Sequence, residues 1–293
     1  MNRMTRKTKL KRIMIIMAVL LLAIIVVIAI KNNQQKQNFA SENGEDFVQV
    51  MDVGQGDSIL LYSNGKSFLI DMSISSKANE ICKDLSDSNI KSIDVAMVTH
   101  FHTDHIGGFE KITEIYRIKK LIIPEILSSS IKAANKAKQT IIDSSGSVYT
   151  AVQGMNFNVG DFKVTVLGNY HHNNENNRSI FTMAEIDGIR FLFTGDAEKW
   201  ADNKLLQEGL DLDCDVLKVS HHGGNSSTSL DFLKATTPQY AAISVGAGNT
   251  YSHPHDVTLM ALKNIGAKVY RTDRQGDIFF YIENGKIKTK TEK

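Results

Sequence analysis

Cysteine is scarce. Cys82 and Cys214 are the two in 293 residues, too few for a disulfide framework. Neither sits in a setting that pairs it with a histidine, so they read as buried thiols rather than nucleophiles. A Gly-x-Ser-x-Gly elbow is absent, which removes the common serine nucleophile, and so is a Gly-x-x-x-x-Gly-Lys-Ser/Thr loop, which argues against a nucleotide cofactor. Short-period repeats are also missing. Positive charge is lacking where it would attract a polyanion. The chain is +2 overall, but six of its basic residues lie in residues 1–30 with no acid, leaving the rest at −4. Such a body exerts no global pull on nucleic acid.

The first 45 residues do not read as part of a fold. Residues 1–12 form a basic tail, and Ile13 to Ile30 is an unbroken apolar run. At about 1.5 Å per residue that run is ~27 Å of helix, close to a bilayer core. With no evident cleavage site and a basic flank that favours the cytoplasm, residues 13–30 are expected to be a transmembrane signal anchor. Residues 31–45 are polar and read as a linker. Residues 46–293 then make one extracytoplasmic domain on a single-pass membrane protein. Its strand-like runs, with helices inserted in both halves, predict two sheets packed face to face with helices outside.

Histidine is plentiful where chemistry would need it. All nine fall in four groups: His100/His102/His105, His171/His172, His221/His222 and His253/His255. The apolar strand Asp94–Thr99 runs into His100-Phe101-His102-Thr103-Asp104-His105. In a loop after a strand, His100 and His102 can face one metal while Asp104 and His105 reach a second. Asp196 follows the apolar strand Phe191–Phe193 and Gly195. Alone it would cap a helix; beside the histidine motif it reads as a carboxylate shared by two metals. His221 and His222 follow the apolar stretch Val216–Val219, and one of them can complete the second metal's shell. Asp71, and less strongly Asp57, are expected to hold a ligand histidine in one tautomer. His253 is a candidate for substrate holding or acid–base work. Arg271 could face a phosphate or form an ion pair. His171 and His172 lie in a polar stretch that reads as a surface loop.

Two divalent ions can hold a hydroxide between them at neutral pH and neutralise charge on an attacked phosphoryl or carbonyl group. Such a centre needs no serine or cysteine.

The chain resembles the metallo-β-lactamase fold superfamily over nearly all of residues 46–285. The motifs are Leu69-Ile70-Asp71, Thr99–His105, Phe193-Thr194-Gly195-Asp196 and Ser220-His221-His222-Gly223. Within it, the chain looks like the hydrolase domain of the ComEC/Rec2 competence proteins. That narrower likeness rests on Asp52–Ser58, Asp104–Gly108, Asp215–Gly223, Tyr251-Ser252-His253-Pro254 and Tyr270–Asp273. The resemblance implies an α/β fold, an αββα sandwich with the site along one edge of the sheets. It implies His100 and His102 on one metal, Asp104, His105 and one of His221/His222 on the other, and Asp196 bridging. His222 is favoured because the superfamily's last ligand commonly precedes a glycine.

The chain also departs from the pattern. Many members have a third histidine for the first metal, where this chain has Glu175-Asn176-Asn177-Arg178-Ser179. Either Glu175 or His172 substitutes, or the site stays open, which would shift preference from zinc towards manganese. Competence proteins also carry a many-span channel, whereas one span is expected here. The reading is a membrane-anchored, extracytoplasmic metal-dependent hydrolase with two divalent ions, zinc or manganese. It would use a metal-bridged hydroxide on a phosphodiester, either single-stranded nucleic acid or a phosphorylated envelope polymer. The alternatives are a phosphorylcholine-type esterase on envelope polymers, a β-lactam hydrolase, or a non-catalytic metal-stabilised surface binding protein.

Overall fold

The computed structural model describes residues 14–27, 46–126 and 132–293. The helix over residues 14–27 (α1) belongs to one compact unit and the body to another. The large apolar side chains of α1 are exposed. Among the described residues no helix is long and apolar enough to cross a membrane. Of the expected span over residues 13–30, the structure describes residues 14–27, all of them helical. Residues 13 and 28–30, the basic tail and the linker lie outside the described residues.

The body begins with the strands β1 (Asp46–Val50), β2 (Ile59–Ser63) and β3 (Lys66–Ile70), followed by α2 (Ala78–Asp87) and β4 (Val95–Met97). Next come α3 (Thr103–Ile106), α4 (Phe109–Ile115), β5 (Lys120–Ile123), α5 (Lys132–Asp143) and β6 (Ser147–Thr150). The second half contributes β7 (Asn156–Val159), β8 (Phe162–Gly168), β9 (Phe181–Ile186), β10 (Ile189–Phe193), α6 (Lys199–Gln207), β11 (Val216–Lys218) and α7 (Leu230–Thr236). It ends with β12 (Tyr240–Ile243), α8 (Asp256–Asn264), β13 (Lys268–Arg271), α9 (Thr272–Gln275), β14 (Ile278–Glu283) and β15 (Lys286–Thr291).

Eight strands form one sheet in the order β15-β14-β1-β2-β3-β4-β5-β6, and seven form the other in the order β13-β12-β11-β10-β9-β8-β7. Period-two alternation decides which side chain goes where. Along β10, Phe191 and Phe193 enter the core between the sheets, with Phe68, Ile70, Met97 and Phe280. Leu192 points the other way, into a second core with Ala201, Leu205, Phe232 and Leu262 from α6, α7 and α8. Against the first sheet, α5 lies on β5 and β6. Burying each such side chain stabilises the fold by about 1.5–3 kcal/mol.

Both sheets contain a parallel tract: β3 to β6 in the first and β10 to β13 in the second. Carboxyl ends of parallel strands are where open α/β sheets place ligands. Asp71 follows β3, the histidine motif follows β4, Asp196 follows β10, and His221 and His222 follow β11. The chemistry-bearing residues of both halves are therefore delivered to one edge.

One strand breaks the apolar rule. Val216 enters the core between the sheets and Leu217 faces the helices, so alternation puts Lys218 on the inner side. Lys218 is 1% exposed. Its Nζ donates to Asp57 Oδ2 at 2.7 Å and to the Val219 carbonyl at 3.1 Å. Asp57 lies between β1 and β2, so a buried ion pair ties the two sheets beneath the site. Removing one partner of such a pair leaves an uncompensated buried charge and costs about 3–5 kcal/mol, whereas removing both charges costs much less. Lys218→Met is expected to destabilise the body by that amount in chemical denaturation, and Lys218→Met with Asp57→Asn to recover most of it. Equal losses in the single and double variants would refute the pairing as a stabilising tie.

Candidate metal centre

The chain around the site is held in conformations that cost energy. Asp71, His221 and His222 all have positive φ, at 58°, 50° and 53°. Non-glycine residues held in this region cost about 1–3 kcal/mol each and persist only where their surroundings impose them. Glycines allow the close approaches. Gly56 has φ +144°, and a Cβ there would meet the Asp104 carbonyl at 2.6 Å. At Gly223, φ is +81°, and a Cβ would meet Pro254 Cβ at 2.5 Å. The first brings Asp57 beneath the histidine motif, and the second seats the His253-Pro254 loop on the His221-His222 turn.

Asp196 is the centre of the arrangement. Its Oδ2 lies 3.2 Å from His105 Nε2, 3.7 Å from His222 Nε2, 3.9 Å from His100 Nε2 and 4.0 Å from His221 Nε2. Asp104 Oδ2 is 3.4 Å from His222 Nε2 and 4.0 Å from His105 Nε2. Asp104, His105, Asp196 and His222 all offer ligand atoms within 4.8 Å of one another. On a tetrahedral zinc with ~2.0–2.1 Å bonds, neighbouring donors sit about 3.3 Å apart, so the 3.2 and 3.4 Å separations match the edges of such a site and the others are longer. His100 Nε2 and His102 Nδ1 also converge, at 3.1 Å.

Buried polar atoms normally have hydrogen-bond partners. His105 Nε2, His222 Nε2 and Asp196 Oδ1 have none, although all three are buried. The other imidazole nitrogens are occupied. His105 Nδ1 lies 2.8 Å from Asp71 Oδ2, and His222 Nδ1 lies 2.9 Å from the Ser244 carbonyl. Asp71 is fixed in turn by the Thr99 N–H and hydroxyl, each at 2.7 Å. Each acceptor takes the Nδ1 proton and turns the Nε2 lone pair into the cluster, the arrangement by which metal-binding histidines are oriented. The donor set therefore fits a divalent cation. Asp57, Asp71 and His105 form a second close group, but Thr99, His105 and Lys218 already engage its carboxylates.

The buried carboxylates favour protons on two of the imidazoles. Burial works against charge on His105, but the Asp196 and Asp71 carboxylates override it and hold His105 well above its ordinary value. Burial likewise opposes charge on His222, which Asp196, Asp104 and Asp57 push up to about 10. Asp196 is held well below the usual carboxylate range by His105 and His222, against the effect of burial. His100, buried and beside His105, is pushed well below 6.5. His253 is pushed down to about 4 by burial and by His221 and His222.

The remaining sequence candidates fall into place around this core. His253 joins it, with its ring 5.5 Å from that of His221 and 6.3 Å from that of His222. Arg271 does not: its guanidinium is bidentate on Asp273, at 2.9 and 2.6 Å, so of its two readings the structure shows the ion pair. Glu175 accepts from the Phe101 N–H at 3.1 Å and from Arg178 at 2.8 Å, so both its oxygens are engaged. The His172 ring packs on Trp200 at 4.3 Å, and His171 is exposed beside Glu125. Neither Glu175 nor His172 joins the cluster. Three supports escaped the sequence reading. Ser179 Oγ accepts from Asp196 N at 3.0 Å, Asn177 Oδ1 accepts from Glu198 N at 3.1 Å, and Lys218 neutralises Asp57. Lys218 alone carried a signal: a lysine in an otherwise apolar strand has to find a buried acid.

Residues 51–247 match the metallo-beta-lactamase superfamily, and the chain belongs to it. Among curated relatives it is 29% identical to ComE operon protein 3 of Bacillus subtilis, over 83% of this chain and 34% of that protein. It is 28% identical to competence protein ComA of Neisseria gonorrhoeae, over 85% of this chain and 34% of that protein. A third relative is recombination protein 2 of Haemophilus influenzae, 28% identical over 79% of this chain and 28% of that protein. The chain thus spans about a third of the length of these relatives. In fold it is similar to YhfI from Bacillus subtilis, with TM-score 0.56 and 13% identity over 81% of this chain and all of that one. It is also similar to CmlA, a diiron β-hydroxylase from Streptomyces venezuelae, with TM-score 0.60 and 13% identity over 82% of this chain and 55% of that one.

A cation must displace the protons that the carboxylates hold on His105 and His222. Metal affinity is therefore expected to rise with pH through neutrality, and to keep rising until His222 deprotonates near pH 10. Calorimetric titration with zinc at pH 7 in buffers of different ionisation enthalpy is expected to show net proton release on binding. No buffer dependence would refute that assignment.

Proposed function

We propose that this metal-dependent hydrolase is a phosphodiesterase of the ComEC type, with two divalent ions, zinc or manganese, at the Asp196 crossroads. The observation that carries the reading is the position of Asp196 Oδ2, within 3.2–4.0 Å of four imidazole nitrogens at the ends of strands from both sheets. A carboxylate so placed would be shared by both ions. Asp104, His105 and His222 would hold one of them, and His100 and His102 the other. When bound, the ions supply an activated water at neutral pH and neutralise charge on the attacked phosphorus.

This chain's residues do the rest. Asp71 and the Ser244 carbonyl keep His105 and His222 in the ligand tautomer. The Asp57–Lys218 pair holds a carboxylate oxygen 3.5 Å from His222 Nδ1, which supports the same orientation. His253, uncharged at pH 7, would hold a substrate oxygen by hydrogen bonding rather than by charge. Arg271 is left out of substrate binding, since Asp273 already takes its fork. The substrate class is a phosphodiester: single-stranded nucleic acid or a phosphorylated envelope polymer. The similarity to competence and recombination proteins supports the first. Anchoring through residues 13–30, with the body outside the cell, belongs to the same reading. It is supported by the apolar run and its basic flank.

The full chain loaded with zinc or manganese is expected to hydrolyse bis-p-nitrophenyl phosphate and single-stranded DNA, and to act less on p-nitrophenyl phosphorylcholine. Asp196→Ala is expected to lower turnover by at least about 10³-fold, since it removes the carboxylate common to both ions. No turnover on any of the three with metal at full occupancy would sink the phosphodiesterase reading. Full activity in Asp196→Ala would sink the shared-carboxylate centre.

A further inference from the structure

Tyr251 stands out among the residues that border the site. It lies on the loop between β12 and α8 and is 63% exposed, yet its ring is not loose. It stacks on the His253 ring at 5.6 Å between centroids and 28° between planes. His253 in turn lies against His221 and His222. An aromatic surface therefore runs from the metal ligands out to solvent.

The loop that presents it is built stiff. One side chain, Asn249, clasps it four times. Its Nδ2 donates to the carbonyls of Gly246 and His253, at 2.9 and 2.7 Å. Its Oδ1 accepts from the N–H groups of Tyr251 and His253, at 3.1 and 3.0 Å. Farther along, His255 N donates to the Gly223 carbonyl at 3.0 Å, and Asn225 N donates to His255 Nδ1 at 3.1 Å. A ring already fixed and backed by a second ring loses little conformational freedom when a planar group lands on it.

We propose that Tyr251, backed by His253, is a stacking subsite for the base of the nucleotide next to the scissile phosphodiester. The inference rests on the phosphodiesterase reading and narrows its substrate to a chain that carries bases. An aromatic face also attracts quaternary ammonium groups, but recognition of such cations uses a cage of several rings. Here the ring against Tyr251 is a single imidazole, His253, and residues 246–255 contain no carboxylate. The platform therefore suits an uncharged planar base better than choline.

Stacking on one aromatic side chain contributes about 5- to 150-fold per base in alanine substitutions. The decisive comparison uses the metal-loaded full chain on oligothymidylate and on an abasic oligonucleotide of the same length. Wild type is expected to favour oligothymidylate in kcat/KM by a factor in that range. Tyr251→Ala is expected to lose the preference, with kcat/KM falling more on oligothymidylate than on the abasic strand, while Tyr251→Phe keeps it. Equal losses on both oligonucleotides, no loss on oligothymidylate, or a loss confined to p-nitrophenyl phosphorylcholine would each overturn the platform while leaving phosphodiester hydrolysis standing. Wild-type turnover of neither oligonucleotide, with metal bound, would overturn the phosphodiesterase reading and the platform with it.

Discussion

The structure is organised around one electrostatic problem: a buried carboxylate, Asp196, facing four imidazoles at 3.2–4.0 Å. Burying an ion is expensive unless it is paired and fully hydrogen-bonded. In the protein alone the pairing is incomplete, since Asp196 Oδ1 and two imidazole nitrogens have no partner. Protons on His105 and His222 satisfy the charge but not the geometry. A cation would satisfy both, because it accepts several lone pairs. The surrounding hydrogen bonds all work in that direction: Asp71 and Ser244 occupy the far sides of His105 and His222, and Ser179 occupies the Asp196 N–H.

The same problem explains the strain and the buried lysine. Asp71, His221 and His222 adopt left-handed conformations, which a relaxed chain avoids. In this conformation His221 and His222, successive residues after β11, both turn their side chains toward Asp196. Lys218 answers a different part of the problem. Asp57 sits 3.5 Å from His222 and is fully buried, and a bare carboxylate there would compete with the centre for the cation. The Lys218 ammonium neutralises it from the opposite sheet. The tie between the two halves of the sandwich and the electrostatic insulation of the site are thus one interaction.

Much of this was legible in the chain. The alternation of apolar residues located the strands of both halves, and the clustering of histidines at strand ends located the centre. What stayed hidden depended on contacts distant in sequence. The stretch Glu175–Ser179 could offer a ligand on composition alone. In the fold, Phe101 and Arg178 take up Glu175, and Trp200 takes up His172. Arg271 was ambiguous because its partner, Asp273, is a local one that a phosphate could have replaced. β15 carries little signal for another reason. Lys-Ile-Lys-Thr-Lys-Thr has almost nothing apolar to bury, as suits an edge strand whose lysines discourage further pairing. Its signal was the Asn284-Gly285 turn, with φ of 50° and 68°, the pair that a two-residue hairpin prefers.

The charge of the body bears on how a substrate is chosen. At −4 outside the N-terminal segment, the protein does not draw a polyanion from a distance, and steering of that kind needs a positive surface field. On the phosphodiesterase reading, attraction to the substrate would therefore have to arise within a few ångströms of the centre, from bound cations and the hydrogen-bonding edge of His253. Short-range attraction to phosphate alone discriminates poorly, because every phosphodiester carries the same group. Selectivity must then come from what is attached to the phosphate. The feature next to the centre that can read it is the Tyr251–His253 stack, held rigid by Asn249 and facing solvent. A weakly acidic body with a local aromatic reader suits a hydrolase that meets its substrate already delivered to it better than one that searches for it.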